Sequence, residues 1–389
     1  MNITKTLLSI LFLSIFATVT AQEEKKNNFR FSGQVSAWGQ YAPDIEESLW
    51  LGGRYIPQIN YEMLFKQNSK FDIEASANIF GECGIIPFSE AETNGKIKPY
   101  RTWVRYSNNN TEFRVGLQKI NFGSAQMLRP LMWFDKMDPR DPLQMTDGVW
   151  GGLFRYYFKN NANLWLWGLA MNEEPKAWES LSTAGKIHPE AGGRLQIPIK
   201  RGETAISYHT RNANVMEYVT KTLMLDPLVP IEPIKEHRFG FDVRADMVIG
   251  MWLETSWTHL PENGFLFHNQ LMTTVGTDYT IGIGNGLGIS IEHLYFLQNN
   301  KNNDFRETTN FTAANFNYPV SLFGNANAIF YYDWRNKGFY NFVSFNYQIT
   351  DITLYLMAYW NPNNSVLPMQ NESVRFMGKG VQMMMVWNY

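Results

Sequence analysis

From residue 31 onward the chain repeats one pattern, in which apolar and polar side chains alternate in segments about ten residues long. In 111–119, Phe113, Val115 and Leu117 share one face, while Glu112, Arg114, Gly116 and Gln118 share the other. In 70–80, Phe71, Ile73, Ala75, Ala77 and Ile79 alternate with Asp72, Glu74, Ser76 and Asn78. Ile206 and Tyr208 oppose Glu203, Ser207, His209 and Arg211, and Ile352, Leu354, Leu356, Ala358 and Trp360 form one face of 351–360. Successive side chains of a strand point to opposite sides, so this period predicts strands with one apolar and one polar face. A half-buried strand in any antiparallel sheet alternates in the same way, so single segments do not define the architecture.

The connections do. Strands are predicted at 31–41, 49–65, 70–81, 98–107, 111–119, 148–158, 161–171, 190–199, 203–212, 236–245, 247–258, 265–279, 286–298, 307–316, 319–332, 338–348, 351–360 and 373–389. Tyr41–Leu49, Gly81–Lys98, Ile120–Asp147, Asn172–Pro189 and Arg211–Lys235 are long connections. Between them lie turns at Lys66–Ser69, Ser107–Asn110, Lys159–Asn160, Lys200–Gly202 and Arg244–Asp246. Transmembrane β-barrels have short periplasmic turns, long external loops and, in bacteria, an even strand number. A soluble sandwich has no reason to alternate loop length. The expected fold is therefore all-β, a transmembrane antiparallel up-and-down barrel of about 18 strands, with 16 as the alternative because the fourteenth and eighteenth segments are the least regular.

The two ends fit that plan. Residues 1–21 read as a secretory signal: Lys5 supplies positive charge, Leu7–Val19 is apolar, and Val19-Thr20-Ala21 offers small residues for cleavage before Gln22. The barrel is then expected to occupy 22–389. No later stretch approaches the 18 continuous apolar residues of a transmembrane helix. At the other end Val381, Met383, Met385, Trp387 and Tyr389 share a face, and the last residue is aromatic. This resembles the terminal strand signal by which barrel-insertion machinery recognises outer-membrane proteins, and it makes that machinery and outer-membrane lipid expected partners.

Composition sharpens the picture. Aromatic residues make up 15% and charged residues only 18%, below the usual quarter. Lipid-facing barrels carry aromatic girdles, which accounts for 13 Trp, 19 Tyr and 27 Phe. A net charge of −2 gives no reason to expect a nucleic-acid partner. Cys83, the single cysteine, cannot form an internal disulfide and has no assigned role.

A barrel of 16–18 strands leaves an aqueous channel. With the apolar face outward, the inward set includes Glu62, Asp72 and Glu74 on the second and third strands. Arg101 and Arg105 follow on the fourth, Arg114 on the fifth, Arg155 on the sixth, Arg194 on the eighth and Arg211 on the ninth, and later strands add Arg238, Asp242, Arg244, Glu254 and Glu292. A positive wall in a narrow channel attracts anions and orients dipolar solutes. The alternative is a set of structural arginine–carboxylate pairs that fill the interior.

The longest connection, Ile120–Asp147, holds Arg129, Asp135, Lys136, Asp138, Arg140 and Asp141 together with Trp133, Phe134 and four Met. So many apolar side chains need burial, and the barrel interior is the available surface, so the segment is expected to act as a constriction loop. Packing over the barrel mouth is the alternative. Just before it, Gly116-Leu117-Gln118-Lys119-Ile120-Asn121-Phe122-Gly123 resembles a segment of the alginate-export and related porin-like families, and Phe134-Asp135 matches their downstream aromatic–Asp pair. Leu117 stands where those families have arginine. The resemblance spans about thirty residues and implies a passive channel, without identifying alginate or any other solute.

Catalytic and metal patterns are weak. None of the six histidines forms a His-Glu-x-x-His motif, and Gly282–Gly286 is a turn-forming run with no helix pattern after it. Ser207 and His209 share a strand face, which alone does not align a hydroxyl with an imidazole. Asp135, Asp138, Asp141 and Asp147 fit no EF-hand spacing. No cofactor, no metal and no enzymatic activity are expected. The expected function is a passive outer-membrane channel for small hydrophilic solutes, anions among them. A non-conducting barrel subunit or adhesin is the alternative, and an outer-membrane hydrolase comes third. The oligomeric state is left open.

Overall fold

The structure is a computed structural model that describes residues 28–45, 47–65, 68–86, 91–179, 181–184, 188–216, 220, 232–261, 267–300, 306–363 and 376–389. The predicted signal segment 1–21 lies outside the described residues, as do parts of the long connections.

The strands are β1 (Phe29–Tyr41), β2 (Leu49–Leu64), β3 (Lys70–Ile85), β4 (Glu92–Ser107), β5 (Thr111–Gln118), β6 (Val149–Tyr157) and β7 (Asn163–Leu169). A two-residue strand, β8 (Ser182–Thr183), pairs only with the end of β10 and is not a stave of the barrel. Then come β9 (Glu190–Ile199), β10 (Gly202–Asn214), β11 (Ile234–Asp246), β12 (Gly250–His259), β13 (Asn269–Ile281) and β14 (Leu287–Asn299). The last are β15 (Arg306–Pro319), β16 (Gly324–Asp333), β17 (Gly338–Ile349), β18 (Ile352–Trp360) and β19 (Lys379–Asn388).

Each stave pairs antiparallel with the next, and β19 returns to β1, with Gln34 opposite Asn388 and Tyr41 opposite Val381. Backbone hydrogen bonds between Gly33 and Tyr389, 3.0 and 3.1 Å, extend this seam to the last residue. Among the described residues the result is a closed barrel of eighteen staves with no free sheet edge, as a bilayer demands.

The staves agree closely with the predicted ones. One difference is the second long connection: β3 and β4 run on to Ile85 and from Glu92, pairing Gly84 with Glu92. That stretch, Gly81-Glu82-Cys83-Gly84 and Thr93-Asn94-Gly95, lacks alternation and carries turn residues. Pairing along a hairpin overrides both signals. Cys83 lies there, half-buried.

The two faces of the staves are opposite in chemistry, and the polar one is inside. Val104, Phe113, Val115, Ile206, Phe239, Val275, Ile291, Leu356, Met383 and Met385 are exposed, whereas Asp72, Arg101, Glu112, Arg194, Asp242, Glu254 and Glu292 are buried. A water-soluble sheet protein would bury the first set and expose the second. Outward rings contact one another across β10–β12, Tyr208–Phe239 at 5.1 Å and Phe239–Trp257 at 5.3 Å, as in an aromatic girdle.

Candidate functional site in the barrel lumen

The segment between β5 and β6, residues 119–148, crosses the barrel interior. Its start packs Ile120, Phe122, Leu131, Trp133 and Phe134 against Leu153, Trp167 and Leu169 of β6 and β7. It is then anchored on the far wall. Glu292 of β14 accepts backbone N–H groups from Gln126 (2.6 Å), Met127 (2.9 Å) and Leu128 (2.6 Å). Glu254 of β12 accepts those of Ala125 (2.9 Å) and Leu131 (2.6 Å). β14 is the thirteenth stave and β5 the fifth, so the loop spans nearly the full width of the ring. Gly123, at φ 98°, brings the chain against the Glu254 carboxylate where a Cβ would collide. Met127 and Leu128 then pack on Leu294, Phe311, Ile329, Tyr331 and Phe342 of β14–β17.

The loop's own charges are largely held within it. Arg129 donates to Asn121 Oδ1 (2.5 Å) and the Phe122 carbonyl (3.2 Å). Asp135 is buried and accepts the Lys136 N–H at 2.8 Å. Arg140 pairs with Asp138 at 2.5 Å and lies over the rings of Phe342 and Phe376. Asp141 accepts the N–H groups of Leu143 (3.0 Å) and Met145 (3.3 Å). Burial holds the carboxyls of Asp135 and Asp141 above the usual carboxylate range. Burial acts the same way on Asp147, but the hydrogen bond and charge of Lys98, 2.5 Å away, outweigh it and hold that carboxyl low. The four aspartates thus serve separate partners.

The strand arginines separate into three groups. Arg101 is buried and donates to the carbonyls of Thr146 (3.1 Å) and Asp147 (3.2 Å) and to the Thr146 hydroxyl, so it fastens the end of the loop. Arg105, Arg114 and Arg155 gather around Glu112 at 3.7, 2.8 and 3.7 Å. Arg105 also grips Asp72 at 2.8 Å, while Glu62 pairs with Lys70 and stays half exposed. Glu74 shares this inward face with Asp72 and Ser76. Arg105 and Arg114 stand over Trp103, and Arg155 lies 3.8 Å from the Trp165 ring. This group lies toward the short-turn rim, beside Phe65, Ser69 and the connections 108–110 and 158–162.

Arg194 and Arg211 belong to the third group, which is sealed. Arg194 pairs with Asp242 at 2.5 Å. Arg211 binds Glu236 at 2.8 Å and Glu179 at 3.1 Å, and Arg238 reaches the same two acids at 2.5 and 2.7 Å. Burial would raise the Glu179 carboxyl, but Arg211 and Arg238 outweigh it and hold it below the usual carboxylate range. Ser207 accepts from Arg194 at 3.1 Å, whereas His209 bonds Glu190 (3.1 Å) and Trp167 (3.1 Å), so these two neighbours serve different partners.

Of the acids that organise the interior, Glu254 and Glu292 belong to the expected inward set and Glu112 to an expected polar strand face, whereas Glu236 and Glu179 are not singled out by the sequence. Four of them lie on the polar faces of strands, but nothing local marks which residue they hold.

No protein-family profile matches the chain, and no curated protein sequence does either. Solved structures do. The chain is similar to OmpF of Salmonella typhi, solved with daunomycin, at 8% identity and a TM-score of 0.51, covering 95% of this chain and 100% of that one. Variants of a porin of Rh. blastica also match, one at 12% identity and a TM-score of 0.46, covering 93% and 100%. At such identities the likeness concerns the fold: a closed porin-like β-barrel.

Proposed function

We propose that the chain forms a passive channel in a bacterial outer membrane for small hydrophilic solutes. On this reading residues 1–21 are a cleaved export signal, and barrel-insertion machinery places the remainder in the membrane. The observation that carries the proposal is the group around Glu112. Arg105, Arg114 and Arg155 keep part of their surface open on the inner face, where the crossing loop does not cover them. Charges facing water inside a barrel cost little, and on the lipid side they would cost about 2–4 kcal/mol near the midplane. Such a wall selects by charge. Arg105, Arg114, Arg155, Asp72, Glu74 and Glu62 are the lining residues on this reading, and 119–148 is the constriction. Because the acids offset much of the arginine charge, any anion preference is modest. The likeness of Gly116–Gly123 to alginate-export and related families fits a passive channel and names no solute.

The test is conductance of the purified full chain in planar bilayers, with the reversal potential read across a salt gradient. Steady ohmic current is expected. A second reading, a sealed barrel serving a larger assembly, is favoured by Trp38, Trp167 and Trp252, which are inward and buried. A folded protein that inserts and carries no current would replace the first reading with the second.

A further inference from the structure

The inner face of β15–β18 changes character along its length. Toward the long-loop rim it carries Phe311, Tyr331, Tyr340 and Tyr359, buried under the crossing loop. Toward the short-turn rim the same staves turn to amides and a hydroxyl: Asn315, Asn325, Asn327, Ser344 and Asn346, none of them buried. Among the described residues this lower half of the inner face carries no Asp, Glu, Lys, Arg or His. It lies well away around the ring from the arginine group of β4–β6. A wetted wall can hold charges cheaply, as that group does, so wetting alone does not require a neutral wall here.

Between these amides and the loop corner at Pro139–Pro142 lies a cavity of ≈ 240 Å³, flanked by Tyr355 and Phe342. On its loop side Asp141 is occupied by two backbone N–H groups. Arg140 is paired with Asp138, and its Nη1 has no hydrogen-bond partner among the described residues. Each asparagine offers both donors and an acceptor, the combination that matches a hydroxyl, and the rings offer a surface for C–H faces. Asn327 already donates to Asn315 at 2.8 Å, which fixes the orientation of both amides.

We infer that this cavity is a binding subsite for a neutral, multiply hydroxylated solute about the size of one sugar ring. The inference rests on the channel reading and gives it a substrate class. The volume lies just below the roughly 300–1,000 Å³ of sites for drug-sized ligands.

The test is a glucose titration of single-channel current through the full chain in potassium chloride. Glycine betaine, which has no hydroxyl hydrogen, serves as the osmotic control. Glucose should lower the current saturably, and betaine should not. Asn327→Leu with Asn346→Leu should raise the half-saturating glucose concentration about tenfold, as expected for the loss of one or two hydrogen bonds, with ion current retained. Ser344→Ala, a milder change, should raise it about threefold on the same grounds and carries the test if the double variant fails to insert. A conducting wild type on which glucose acts only as betaine does overturns the subsite and leaves the channel standing. Saturation that is the same in the variants that insert overturns the assignment to this cavity. A silent wild type overturns the channel reading, and the subsite with it.

Discussion

Arg105, Arg114 and Arg155, on β4–β6, keep 25%, 13% and 17% of their side-chain surface. Arg194, Arg211 and Arg238, on β9–β11, keep 2%, 3% and 5%. Both sets stand on the inner face of one barrel, and both have acids within reach. They differ in what lies over them. The second set is roofed by the segment after β7, which brings Glu179 to Arg211 and Arg238 and the Leu181 carbonyl to Arg211. The first has aromatic rings beneath it and, among the described residues, no such roof. Strand phase decides which way a side chain points, and the covering segment decides whether it meets solvent or becomes a structural ion pair.

The largest effect expected from this contrast is at Arg211. Removing one member of a buried ion cluster leaves its partners charged and unpaired, at a cost of about 3–5 kcal/mol. Arg211→Ala strands part of the charge of Glu236 and Glu179, both almost fully buried. Urea titration of the detergent-solubilised barrel should show that loss. An unchanged midpoint would mean that the cluster is wetter than its burial indicates, and the contrast would collapse.

How much of this was legible beforehand follows from the range of each signal. The staves were readable because period-two alternation is local: Phe113-Arg114-Val115 gives its facing without reference to any partner. The closing strand was readable for the same reason. The barrel interior was only half readable. Arg105 and Arg211 look alike in sequence, since each sits among alternating residues, and only the placement of Glu179 and Leu181 over the second separates them. Glu292 was visible as an inward acid, but its three backbone partners lie more than 160 positions away in the chain. The crossing of 119–148 was foreseeable from its aromatics and methionines. The fate of its charges was not, because Arg140 and Asp138 pair with each other two residues apart.

Next in size is the outer face, which defines what "inner" means for both arginine sets. Leu356 is 51% exposed on β18. Leu356→Arg should cost about 2–4 kcal/mol in bilayers if it sits near the midplane. Glu74→Gln should leave folding intact. Equal folding yields for the two variants would invert the faces.

A smaller loss is expected where the loop is tied down. Glu292→Ala removes the acceptor of three backbone N–H groups and of the Trp252 indole N–H. Unsatisfied buried donors cost about 1–3 kcal/mol, less where water enters. The loop should loosen before the barrel does, so single-channel conductance should rise while the folded fraction stays high. Conductance equal to wild type in a folded variant would place the narrowest section elsewhere.

The smallest effect on stability, and the most informative for function, is expected at the open arginines. Part-exposed ion pairs contribute about 0–1 kcal/mol each, and the stacking of Arg155 on Trp165 adds a similar amount. Arg105→Ala, Arg114→Ala and Arg155→Ala together should therefore still fold. Their removal leaves Glu112 without its cations and Asp72 with Lys70 alone, so the wall becomes net acidic. In a potassium chloride gradient the reversal potential should move toward the cation value. The shift should grow as salt is lowered, because the screening length rises from about 10 Å at 0.1 M to about 30 Å at 0.01 M. Arg194→Ala serves as the counterpart: it should destabilise the fold and leave selectivity nearly unchanged, since Asp242 beside it is sealed from the lumen water. If the triple variant conducts with the selectivity of wild type, the open arginines do not line the path that ions take. If Arg194→Ala shifts selectivity as strongly as the triple variant, the roof over β9–β11 is not closed in the membrane and both sets face solute.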